Sequence, residues 1–268
     1  MIETATSKVN PPEVPERALD VFVHVPKTAG TSLRTMIIGS YGLMHTWVYA
    51  ASSGLFFRAD KQLFQPGEVD TRRIRMLRHR LFSPVTRPLI YCNNMRADGK
   101  SETHDKAHAV VGHFPHTIFD DMPNTRKIRK FTVLRDPLAR MLSHYEYSQS
   151  LKNLGRHWVG WMQNDDKSLS FEDFAFSAYH QNFQTRLTGT HLRAYEAVGV
   201  TEHLPEFLCL SGLASYMAAV PYHNQTRRSN RDRVVADPGF LRAFRAFHAL
   251  DYNMYEEALE VSKNFSLR

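Results

Sequence analysis

The sequence predicts an α/β fold, a single domain with a central parallel sheet flanked by helices. Three observations carry that expectation. Short β-branched and aromatic runs alternate with helix-period segments at 21–41, 107–121, 130–151 and 196–219, the order that a parallel sheet covered on both faces requires. One of these units, VFVHVPKTAGTSLRTMII at 21–38, runs strand, tight turn and helix without a break. Hydrophobic residues make up 43% of the 268 positions, enough for one sizeable core. The domain is expected over 18–268. Residues 1–17, with Pro11, Pro12 and Pro15 among polar neighbours, read as a flexible lead-in.

Lys and Arg exceed Asp and Glu by 34 − 27 = +7, which points to an anionic partner such as a nucleotide, an acidic glycan or nucleic acid. Cys92 and Cys209 are the only cysteines, so no disulfide framework is implied and a reducing compartment is the simpler reading. No run approaches the roughly 18 apolar residues that span a bilayer, and the first twenty residues lack a signal-peptide core. A soluble cytoplasmic protein without a membrane span is expected.

In the first unit, Val21, Phe22, Val23 and Val25 form the strand, and Leu33, Met36 and Ile37 take the i, i+3, i+4 positions of a buried helix face. PKTAGTS lies between them. A helix starting at Thr31 or Ser32 leaves its first N–H groups unpaired, and Gly30 admits an anion close to the backbone, so the turn reads as a phosphate cradle. It is not a Walker A loop, because Lys27 precedes Gly30 by three residues instead of standing directly before the hydroxyl residue.

Residues 41–66 mix Gly, Ser and aromatics without a clean period and read as loops able to line an acceptor cleft. Residues 70–82 form an amphipathic helix pattern with five arginines largely off its apolar stripe, either a solvated basic face or an anion surface. No aromatic interleaving favours nucleic acid there. Leu89–Cys92 suggests a short strand. Ala107–Gly112 reads as a buried strand, with His113 at its carboxyl end, where open α/β sheets place ligands. In KFTVLRDPLARMLSHYEY, Phe131–Leu134 make a strand, Asp136 caps and Pro137 opens a helix. Leu138, Met141, Leu142 and Tyr145 line the core face of that helix, with Arg140, Ser143 and Tyr147 on the opposite side. A helix around Phe171–Phe176, a strand at Ala197–Val200, a helix at 204–220 and helical periodicity at 240–261 with a break near Asp251 complete the expected elements.

HVPKTAGTS and R-D-P-x-x-R-x-x-S-x-Y, about a hundred residues apart, together resemble the two nucleotide-binding segments of sulfotransferases that use 3'-phosphoadenosine 5'-phosphosulfate (PAPS). The likeness is closest to the heparan sulfate 2-O-sulfotransferase family and spans most of 19–265. It implies a sulfotransferase fold related to P-loop kinases, with Lys27, Thr28, Ala29, Gly30, Thr31 and Ser32 around the 5'-phosphosulfate. Arg135 and Ser143 match the pair that holds the 3'-phosphate, and Gly112-His113 matches the pair whose His is the catalytic base. The family carries a second His where this chain has Val111. Arg227, Arg228 and Ser229, in YHNQTRRSNRDR, stand where the family has a further 3'-phosphate contact. NFQTR at 182–186 is similar to a polar patch of bacterial members, with Arg186 a candidate contact. The resembling animal enzymes are Golgi-lumenal and membrane-anchored, a departure from the segment pattern here.

The resemblance implies transfer of a sulfuryl group from PAPS, as co-substrate, to an acceptor hydroxyl of a carbohydrate, with release of 3',5'-ADP. Lys27 and His113 are the expected catalytic residues, and no metal is required. Two alternatives stand beside it: a nucleotide kinase or NTPase, which requires a true Walker A loop, and a non-catalytic binder of acidic glycan or nucleic acid. The acceptor's identity and the oligomeric state are open.

Overall fold

The computed structural model describes residues 18–50, 55–59, 106–122, 126–153, 169–213 and 237–265. At its centre is β1 (Leu19–His24), whose successive residues face opposite layers of helices. β4 (Ala109–Gly112) pairs with one edge of β1 and β5 (Ile128–Leu134) with the other, both parallel. β2 (Thr46–Ala50) and β6 (Ala197–Val200) extend the parallel sheet outward. β3 (Leu55–Arg58) adds an antiparallel edge strand, giving the order β3-β2-β4-β1-β5-β6. The fold is therefore α/β, with a five-strand parallel sheet flanked by helices.

The layers follow from the period of the strands. Val21 and Val23 pack with Phe114, Ile118, Met254 and Ala258, the last two from α7 (Ala249–Phe265). Phe22, between them, faces the other way, onto Leu33, Met36 and Ile37 of α1 (Gly30–Tyr41) and Phe207 and Leu208 of α5 (Leu204–Leu210). Burial on both faces is what makes parallel strands read as unbroken apolar runs. Phe22 stacks on Phe131 at 4.7 Å between ring centroids, and truncating such a ring to alanine costs about 3–5 kcal/mol. One carboxylate interrupts β1. Asp20 is 1% exposed, yet Arg129 meets it with Nε at 2.6 Å and Nη2 at 2.5 Å, and the Tyr41 hydroxyl donates to it as well. A buried carboxylate is tolerated only with such partners.

A third apolar cluster joins Leu138, Met141 and Leu142 of α2 (Pro137–Asn153) to Phe174 of α3 (Phe171–Ala175) and to Phe240 and Phe244 of α6 (Pro238–Phe247). The side of α2 expected to be polar is enclosed too. Arg140 is 1% exposed, with the Phe183 ring of α4 (Phe183–Thr188) 5.1 Å from its guanidinium, and Ser143 is 7% exposed.

Several expectations need correcting. Residues 41–66 hold two strands where loops were expected, and TWVYA shows no alternation because Trp47, Val48 and Tyr49 are all buried. The first helix begins at Gly30, a residue or two early, since Ala29 ends the turn in the left-handed region and its carbonyl accepts from Leu33. The strand at 109–112 is followed by turns, not by a helix. The terminal helices part at His248, three residues before the expected break. The lead-in at 1–17, the Arg-rich helix at 70–82, the strand at 89–92 and the loop at 222–233 lie outside the described residues. Among the described residues no helix is long and apolar enough to cross a membrane.

Candidate active site

The sheet register brings three sequence segments to one edge. Val23 lies beside Gly112, and His24 beside Val133, so the chain leaves β1, β4 and β5 at neighbouring points as Val25–Gly30, His113 and Arg135. Carboxyl ends of adjacent parallel strands are where such sheets bind ligands.

The turn after β1 is built from an unusual backbone. Lys27 (φ 73°) and Ala29 (φ 62°) both occupy the left-handed region, which costs a non-glycine residue roughly 1–2 kcal/mol. Thr28 between them is 1% exposed, and its hydroxyl donates to the Val25 carbonyl at 2.8 Å, fastening the turn from inside. That hydroxyl faces inward, so any contact of Thr28 with an anion falls to its backbone. Gly30 then opens α1. A Cβ there would lie 1.4 Å from His24 Nε2, so only glycine lets the helix start beneath that ring. Ser32 is partly buried in the first turn of α1, and the backbone N–H groups of Gly30, Thr31 and Ser32 belong to the end of the helix that favours anions.

His24 was not singled out from the sequence, yet it joins the turn to His113. The two rings lie 4.3 Å apart, and His113 Nδ1 donates to the His24 carbonyl at 2.7 Å. An acceptor-only partner fixes the proton on Nδ1, which makes Nε2 the basic nitrogen of the neutral ring. Burial, together with the positive Arg34 nearby, holds the His113 imidazole below the usual histidine range. His24 is held well below it, first by burial and then by His113, Arg34 and Lys27. Gly112 matters for the approach of the strands: a Cβ there would meet the Tyr49 Cβ at 2.6 Å.

Burial and the neighbouring Arg135 push the Lys27 ammonium down to about 8, against an opposing pull from Glu146. The ammonium sits 4.1 Å from the centre of the Tyr147 ring, a cation–π contact. Arg135 reaches across to the same turn, its Nη1 donating to the Lys27 carbonyl at 3.1 Å. Directly after it, the Asp136 carboxylate accepts from Ala139 N at 2.8 Å and Pro137 opens α2, as the sequence predicts. Arg140 is a different case. Among the described residues its Nε and Nη1 have no hydrogen-bond partner, and burial pushes it down to about 10.

Lys27, His113, Arg135 and the Ala29–Ser32 turn thus meet at one edge, with Ser143 two helical turns along α2. The side chain of Thr31 and the whole of Arg227, Arg228 and Ser229 lie outside the described residues. Arg186 is exposed, stacks near the Tyr179 ring and donates to the Ala178 carbonyl. The part of NFQTR that touches the site is Gln184, whose amide pairs with the Arg135 main chain. Among the described residues no group of three or more His, Cys, Asp or Glu is arranged to hold a metal ion. No protein-family model matches the chain, and no curated protein sequence matches it.

Proposed function

We propose that this protein is a PAPS-dependent sulfotransferase with a P-loop-kinase-like nucleotide site, acting in the cytoplasm on a hydroxyl acceptor, a carbohydrate by preference. The observation that carries the reading is the meeting of the left-handed PKTAGTS turn, His113 and Arg135 at one carboxyl edge of the sheet. The 5'-phosphosulfate sits on the N–H groups at the start of α1 and on Thr31 and Ser32, and Arg135 and Ser143 take the 3'-phosphate. Arg227, Arg228 and Ser229, outside the described residues, are the further 3'-phosphate contacts that the resemblance implies.

The acceptor oxygen attacks sulfur, the bond from sulfur to the bridging oxygen breaks, and that oxygen leaves with 3',5'-ADP. The hydroxyl proton passes to His113 Nε2, the basic nitrogen once Nδ1 donates to the His24 carbonyl. Negative charge growing on the leaving oxygen is met by Lys27, which still carries its proton at pH 7 with a pKa of about 8. Positioning and charge stabilisation then supply most of the rate, as in phosphoryl transfer.

Labelled-sulfate transfer from PAPS to panels of glycans and small hydroxyl compounds, read by mass spectrometry, tests the reading. Binding of 3',5'-ADP without transfer to any acceptor would favour a binding protein instead. With an acceptor in hand, His113→Ala lowers kcat by about 10²–10⁴ and leaves 3',5'-ADP affinity unchanged. In the parent enzyme kcat/KM falls at acid pH with a midpoint below 6.5, and at alkaline pH near 8 as Lys27 deprotonates. The acid limb disappears in His113→Ala. A folded His113→Ala protein with full activity removes His113 from the mechanism.

A further inference from the structure

Resting on the reading of Arg135 as a 3'-phosphate ligand, we propose that Gln184 is the positioning residue that sets this recognition. Arg135 is the first residue past β5, where pairing with β6 ends at Leu134 and Val200. Gln184 takes over from the missing strand. Its Oε1 accepts from Arg135 N at 3.1 Å and its Nε2 donates to the Arg135 carbonyl at 2.9 Å, so one side chain satisfies both main-chain groups. Gln184 is 0% exposed, and a buried peptide group without such partners is costly.

The clamp is itself braced. Asp251, on α7, accepts from Gln184 N at 3.2 Å and from both Thr185 N and Thr185 Oγ1 at 2.8 Å. In return, Asn182 Oδ1 accepts from Leu250 N at 3.1 Å and Asp251 N at 3.3 Å, so α4 and α7 cap each other's first turns. Thr188 Oγ1 donates to the Gln184 carbonyl at 2.9 Å. The Arg135 main chain is thus tied through Gln184 to α7, which packs on the sheet, while its guanidinium crosses to the Lys27 carbonyl. Backbone anchored at one end and side chain aimed at the other is the arrangement that a fixed bidentate contact with a phosphate needs.

The test is calorimetry of 3',5'-ADP and 5'-AMP with the parent chain, Arg135→Ala, Gln184→Met and the double variant. The parent prefers 3',5'-ADP and Arg135→Ala reduces the preference; a parent without it overturns the ligand reading itself, before Gln184 enters. Gln184→Met, similar in size but unable to pair, reduces the preference by about tenfold with 5'-AMP affinity unchanged. In the Arg135→Ala background the same change adds nothing. A Gln184→Met protein that keeps the parent preference, or loses affinity for both nucleotides equally, overturns the proposal. Should that variant not fold, the unmutated chain decides: with ¹⁵N-labelled glutamine, the Gln184 side-chain amide resonance shifts on adding 3',5'-ADP but not 5'-AMP, and equal responses overturn it.

Discussion

The turns that leave β1 and β5 end at the same sheet edge and are held by opposite means. The β1 turn is strained and self-contained: two non-glycine residues in the left-handed region, a buried threonine bonding back to Val25, and a glycine under the His24 ring. The β5 turn has no positive φ; Asp136 and Pro137 begin α2 in the ordinary way, and the Arg135 main chain is bonded by Gln184, 49 residues on. A turn that wraps an anion needs its N–H groups convergent and accepts backbone strain for it. A turn that only aims one long side chain needs a fixed origin instead.

Breaking the first turn has the largest effect. Gly30→Ala forces a Cβ into the His24 imidazole, with a stability loss of about 3 kcal/mol by urea melts and loss of 3',5'-ADP binding. If binding and stability survive, the turn is not as tightly built as described. The second turn loses less: Arg135→Ala costs about 1.5–3 kcal/mol of 3',5'-ADP affinity, the scale of a charged hydrogen bond, with 5'-AMP binding unaltered.

Acid separates the two regions less, because each contains imidazoles held neutral. His24 and His113 serve the first turn, and burial also lowers His144 on α2 and His248, which bonds to Asn182 at the start of α4. His248 donates from Nε2 to the Ala175 carbonyl and accepts the Asn182 N–H at Nδ1, a pattern that only the neutral ring can make. All four have folded pKa values below the unfolded one, so below about 6.5 the unfolded chain binds more protons. Stability is complete above that pH and falls as pH drops toward the folded values, by up to about 1.4 kcal/mol per pH unit for each imidazole. Urea midpoints at pH 7.5 and 5.5 check it, and equal midpoints would refute it. The smallest effect is Ala29→Gly, which relieves the left-handed strain but loosens the unfolded chain, for a net change within about 1 kcal/mol.

How much of this was legible follows the same division. The β1 turn, the Asp136–Pro137 helix start and His113 at a strand end are written in adjacent residues, and local chemistry is what a single sequence displays. The partners are not adjacent: His24 and His113 lie 89 positions apart, and Gln184 stood in NFQTR where only Arg186 drew notice. β2 stayed hidden because burial on both faces erased its alternation. The enclosure of Arg140 depends on α4, a helix too short for periodicity to reveal.

The central claim, that this edge of the sheet holds a nucleotide by its 3'-phosphate as well as its 5' end, is tested most directly by calorimetry of 3',5'-ADP against 5'-ADP on the unmutated chain. Far tighter binding of 3',5'-ADP is expected, a preference that Arg135→Ala reduces by about 1.5–3 kcal/mol. Equal affinity for the two nucleotides would contradict it.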